Sequence, residues 1–234
     1  MNHGVKWVLL SILCFQSWSF SQSDSTITTR RSPFKSLVKT VVGDVAHVAS
    51  APFHMSGNDF LKLGIFSGIN VGLIYGVDEE IDTHFAIDGD QAYWQPGKVL
   101  ARVGDFYNYL GTRRTIIGLT SLTLLSGVVF KDNKLLETGR LLIETTVITS
   151  FITYVGKGFF GRARPYANHG ATDLNLLKFS NKPRYRALPS GHSSSIFALM
   201  TVIAKQYPRW WIKYPAYAFA VSVALQRIDA RQHW

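Results

Sequence analysis

Five apolar stretches, at roughly 60–77, 115–130, 138–156, 191–206 and 211–226, most constrain what this chain can fold into. They are longer than ordinary strands, and no stretch of the chain reads convincingly as a half-buried strand. No internal repeat or low-complexity tract appears either. Asn58 or Asp59 is placed to cap the first helix, and Thr115 lies near the start of the second. The expected fold is therefore all-α, a helical bundle with about five long apolar helices. A chain of 234 residues suits one domain with a sizeable core. The stretches approach bilayer length only when generously counted. They also carry Lys62, Asn70, Glu144 and Lys213. A buried bundle and a membrane-associated or membrane-embedded one both fit.

The first 21 residues read as an export signal. Met1 to Lys6 is a short basic head, Trp7 to Phe20 is mostly apolar, and Ser19 and Ser21 supply small residues for cleavage after Ser21. An uncleaved anchor is the competing reading. Cys14 is the one cysteine and lies in this stretch, so the remainder has neither disulfide nor thiol nucleophile. Residues 22–57 form a lead-in: a polar run from Ser23 to Ser32, then an amphipathic helix over 36–49 with Leu37, Val38, Val41, Val42, Val45 and Val48 on one face. Residues 58–234 form the main domain. Its linker 78–112 opens on Asp78-Glu79-Glu80 and lacks the spacing of a calcium loop, so a solvated acidic loop is expected.

A net charge of +10 and a pI near 9.8 favour an anionic partner. Nucleic acid is disfavoured, because the basic residues do not gather into one segment and no nucleic-acid-binding motif is visible. Mean hydropathy is +0.07, high for an enzyme but low for a protein made mostly of membrane spans.

The chemistry lies in three pieces: Lys157-x6-Arg164-Pro165, Pro189-Ser190-Gly191-His192 and Arg227-x5-His233. The first ends the third apolar helix, the second opens the fourth, and the last follows the fifth. If neighbouring helices run antiparallel, helix order alone brings all three to one side. Lys157, Arg164 and Arg227 can stabilise the charge on a phosphoryl group in its transition state. Ser190 and Gly191 supply a hydroxyl and a close backbone approach at a helix N-terminus. Two histidines can then divide nucleophilic attack and leaving-group protonation, and spacing alone leaves open which does which. Each piece has a plain structural reading too: cations at a helix C-terminus, an ordinary Ser cap, and a surface histidine. The ordered set is much harder to explain that way.

These residues resemble the type 2 phosphatidic acid phosphatases, which share a site with bacterial acid phosphatases and vanadium haloperoxidases. The first two motifs match in full, and the third matches at Arg227 and His233 with Gln226 in place of the usual serine. The resemblance implies that His233 is the nucleophile and His192 the general acid. Lys157, Arg164, Ser190, Gly191 and Arg227 would hold the phosphate, and no metal or cofactor is called for. It also implies a closing aspartate at a position beyond Trp234. Asp229 has the wrong spacing to replace it, so a fragment of weak activity is expected. The expected function is hydrolysis of a phosphate monoester or pyrophosphate, of a lipid by preference, in the periplasm or cell envelope. A soluble acid phosphatase, a haloperoxidase and a non-catalytic anion- or lipid-binding protein are the alternatives.

Overall fold

The computed structural model describes residues 33–234, so the expected export signal, Cys14 and the polar run 23–32 lie outside the described residues. Among the described residues helix is the dominant structure, and β pairing amounts to one isolated bridge between Arg162 and Leu174. The chain divides between Met55 and Ser56 into two units. In the first, α1 (Pro33–Ser50) covers the expected amphipathic helix and leads into a 3-10 turn, Ala51–His54.

The second unit opens with α2 (Gly57–Gly76). Its cap is Ser56, not Asn58 or Asp59. The Ser56 hydroxyl accepts from Asp59 N–H at 3.3 Å, and the Asp59 carboxylate accepts from Ser56 N–H at 3.0 Å. This reciprocal pair satisfies two of the free donors at a helix start. Helix α2 buries none of its residues, and Phe60, Leu61, Leu63 and Ile65 face outward. No single helix among the described residues is long and apolar enough to cross a membrane. Helix α2 and the segment 78–87, bent by 51°, pass that test only together.

The expected acidic loop is corrected by the structure. Asp78–Ile81 forms the short α3, which continues into a π turn at Asp82–Ile87. Asp78 accepts from Arg162 Nη2 at 2.7 Å, and Asp82 takes Arg231 Nε and Nη2 at 2.9 and 2.7 Å. Asp82 is only 7% exposed. These carboxylates are structural partners of distant arginines, because burying them requires a compensating charge.

The linker also contains a helix that apolar length did not announce, α4 (Gln95–Leu110), with Ala101, Gly104 and Tyr107 buried along one face. Gly104 sits where a Cβ would come within 2.4 Å of the Ser222 carbonyl oxygen. The absent side chain therefore sets how closely α4 approaches its neighbour. Helices α5 (Thr112–Val129), α6 (Asn133–Phe160), α7 (Gly191–Gln206) and α8 (Trp210–Asp229) follow. Asp132 caps α6 by accepting from the N–H groups of Lys134 and Leu135. Helix α8 packs on both α4 and α7, while α6 lies between α5 and α7. Tyr107, Leu142, Ile196, Leu199, Ala220 and Val223 form the centre of the core at the meeting of α4, α6, α7 and α8.

Candidate active site

The end of α6, the start of α7 and the end of α8 are tied together by backbone bonds. Gly161, at φ +50°, ends α6 in the left-handed region, and a Cβ there would strike the Asn175 carbonyl oxygen at 2.3 Å. The following segment is then clamped from both sides. Ala163 N–H donates to Asp173 O at 2.9 Å, Arg164 N–H to Arg184 O at 2.8 Å, and Ala187 N–H to Arg162 O at 3.0 Å. The chain after α8 docks on the same segment through Tyr166 N–H to Arg231 O (3.2 Å) and Trp234 Nε1 to Ala163 O (2.7 Å). Arg231 bridges Asp82, the Pro165 carbonyl and Asn168. Residues far apart in sequence are thereby held in one wall.

That wall carries the three cations. Lys157 Nζ donates to the Arg186 carbonyl at 2.7 Å, Arg164 Nη1 to Gln232 Oε1 at 2.5 Å, and Arg227 Nη1 to Asn108 Oδ1 at 2.7 Å. Gln226 also touches Arg227, accepting from Nη1 at 3.4 Å. None of the three forms an ion pair with a carboxylate among the described residues. The buried Nε atoms of Arg164 and Arg227 have no hydrogen-bond acceptor among the described residues. Buried donors without partners are rare, and two on adjacent guanidinium groups suit an oxyanion.

Ser190 caps α7, its Oγ accepting from Ser193 N–H at 3.3 Å and from the Ser193 hydroxyl at 3.0 Å. Its own hydroxyl proton is left to donate outward. A Cβ on Gly191 would lie 3.7 Å from Thr153 Cγ2 and 3.8 Å from Lys157 Cε, which is ordinary contact. The expected need for glycine there is thus not imposed by protein packing.

His192 stands edge-on to the buried Tyr107 ring, with centroids 6.1 Å apart. His233 is 4% exposed, and its Nδ1 lies 2.5 Å from the Ala187 carbonyl oxygen. A carbonyl only accepts, so Nδ1 carries the proton and Nε2 keeps its lone pair. A backbone oxygen thus fixes the tautomer here.

The electrostatics agree with this convergence. Burial, followed by Arg164, Arg186 and Arg227, lowers the Lys157 pKa to about 7. Burial, followed by Arg227, Lys157 and Arg164, lowers His192 to about 4. His233 falls well below the usual histidine value, chiefly through burial and further through the same cations, with the Ala187 bond opposing. Both histidines are therefore neutral at pH 7, inside a cluster of positive charge.

All the residues singled out in the three motifs come together. Asp229, set aside on spacing, pairs with Lys98, and His169 pairs with Asp173 at 3.2 Å. Sequence reasoning missed Asn108 and Tyr107 on α4, the Ala187 carbonyl, and the Asp82–Arg231 clamp. Tyr107 falls in the sparse helical series Ala101, Gly104, Tyr107, whereas the others carry no local signal, because the partners are separated by as many as 149 residues.

Residues 139–234 match the family model of the PAP2 superfamily. Two similar proteins are lipid A 1-phosphatases. The one from Rhizobium etli is 27% identical over 96 residues, which is 41% of this chain and 40% of that protein. The one from Rhizobium johnstonii is 27% identical over 96 residues, 41% of this chain and 38% of that protein. The match thus spans less than half the length of either relative. No solved structure matches significantly. Residues 139–234, which hold every motif residue of the site, are thus the part of the chain that is similar to the PAP2 superfamily.

Proposed function

We propose that this chain is an envelope phosphatase that hydrolyses a lipid-borne phosphate or diphosphate through a phosphohistidine at His233. One observation carries the reading. Three cations without carboxylate partners among the described residues, two of them with unsatisfied buried Nε donors, surround two neutral histidines. Such a cluster is electrostatically unfavourable until an anion enters it.

In this reading the phosphate oxygens lie on Lys157, Arg164, Arg227, Ser190 Oγ and the first N–H groups of α7. Nε2 of His233 attacks phosphorus, forming a P–N bond as the P–O bond to the leaving group breaks. His192 gives its proton to the departing oxygen. Water then attacks the phosphohistidine while His192 takes the water proton, and His233 is released. A bound phosphate dianion offsets the three cations that depress His192, so substrate entry favours its protonated form. Removing any one oxyanion donor typically costs on the order of 100- to 1000-fold in rate.

The lipid part of the proposal is supported by the lipid A 1-phosphatase activity of the two relatives and by the uncovered apolar surface of α2. The expected export signal over 1–21 supports an envelope location. The test compares hydrolysis of a soluble aryl phosphate and of a micellar lipid phosphate by the purified chain and by His233→Ala. Loss of at least about 1000-fold on both substrates is expected for the variant. Normal rates in His233→Ala would remove the mechanism altogether.

A further inference from the structure

A cation outside the three motifs stands in the same wall. Arg186 is half-buried, and its main chain is fixed by the site itself. Its carbonyl receives Lys157 Nζ at 2.7 Å, and the next carbonyl, of Ala187, receives His233 Nδ1. Standard bond lengths then place the Arg186 Cα within about 5 Å of Lys157 Nζ. The guanidinium lies 5.6 Å from the centroid of the Tyr154 ring, one turn before Lys157 on α6. Its one hydrogen bond among the described residues is a marginal 3.5 Å contact to the Ser180 carbonyl, and no carboxylate pairs with it.

Resting on the phosphate-site reading, we propose that Arg186 forms a second anion subsite beside the scissile phosphate, which makes the preferred substrate a diphosphate ester.

Charge balance is the first argument. Lys157, Arg164 and Arg227 together are enough for a phosphate monoester, which carries about two negative charges at neutral pH. Arg186 adds a further positive charge that no carboxylate ion pair offsets among the described residues, and it is among the groups that lower Lys157. A second phosphoryl group supplies the matching negative charge without further protein groups. Geometry is the second argument. A guanidinium resting on an aromatic face keeps its N–H edge free for bidentate contact with a phosphoryl group. The other basic residues of the loop differ: Lys178, Lys182 and Arg184 are exposed, where solvent and salt screen them.

The motif cations act on the phosphorus that is attacked, whereas Arg186 reads the group beyond it. Its side chain can be truncated without removing the carbonyl that holds Lys157. The experiment measures binding of inorganic pyrophosphate and orthophosphate by calorimetry, together with kcat/KM for an aryl phosphate and a short isoprenyl diphosphate. Arg186→Ala is expected to weaken pyrophosphate binding and diphosphate turnover on the order of 10- to 100-fold. Orthophosphate binding and aryl phosphate turnover should change less than about threefold, as for a group outside the primary cradle. Arg186→Lys should recover part of the loss. An equal loss on both ligands, or no loss on either, overturns the subsite. Lys157→Ala should weaken both ligands alike. If it changes neither, or if the unsubstituted chain binds neither, the phosphate-site reading itself falls and takes the subsite with it.

Discussion

Helices α2 and α8 are each 20 residues long, yet they are used in opposite ways. The more apolar of the two, α2, buries nothing. Helix α8 buries Ala216, Ala220, Ser222, Val223, Gln226 and Arg227, of which half are polar or charged. Hydropathy therefore does not rank burial in this molecule. What decides is the fit between partners. Small residues on α8 let α4 approach at Gly104 and Ser222, and the same approach brings Asn108 to Arg227. Nothing lies within 4 Å of a Cβ built on Gly64, Gly68 or Gly72 of α2. One helix delivers a cation into a packed interior, whereas the other turns its apolar side chains outward.

Substitutions at the two helices should separate these roles. The largest effect is expected at the buried end of α8: Arg227→Ala should slow phosphate hydrolysis on the order of 100- to 1000-fold, measured by steady-state kinetics. A rate within a few-fold of normal would show that α8 builds the core without serving the site. Next comes Leu199→Ala in the core, expected to cost about 2–5 kcal/mol in a denaturation curve. Leu61→Ser, at a residue of α2 that is 62% exposed, should stay within about 0.5 kcal/mol in the same detergent. Comparable losses at the two positions would break the comparison. Asp82→Ala removes the partner of Arg231 and should cost about 1–3 kcal/mol. In a double-mutant cycle with Arg231→Ala the two effects should not add.

A smaller, pH-dependent effect follows from Lys157. Its pKa near 7 means that it is charged below that pH and loses its charge above it. Inhibition by sulfate, which does not itself titrate in this range, should therefore weaken above about pH 7, by at most about tenfold per unit. His192 does not contribute there, being neutral already from about pH 4 upward. Inhibition that strengthened with pH would remove Lys157 from the anion site.

Much of this arrangement could be read directly from residues. The expected helix at 191–206 coincides with α7, since Ser190 announces its start and the apolar run its length. Helix α6 extends beyond the expected 138–156 at both ends, because Asp132 caps it early and Gly161 stops it late. Helix α4 stayed hidden for a physical reason. It has no continuous apolar run, and its buried face is the sparse series Ala101, Gly104 and Tyr107. That i, i+3, i+6 spacing was the available signal. The pairs Asp78–Arg162 and Asp82–Arg231 could not be read at all, since their spacing in the chain is set by tertiary packing. The motif residues were legible because each motif is local, while the groups that contact them are not.

The central claim is that Nε2 of His233 forms a bond to phosphorus inside the cation cluster. The direct measurement is intact-protein and peptide mass spectrometry after mixing the chain with aryl phosphate and quenching in alkali, where phosphohistidine survives. A phosphoryl adduct on His233 that disappears in His233→Ala is the predicted result. Turnover with the adduct on another residue, or with no adduct at any quench time and full activity in His233→Ala, would contradict it.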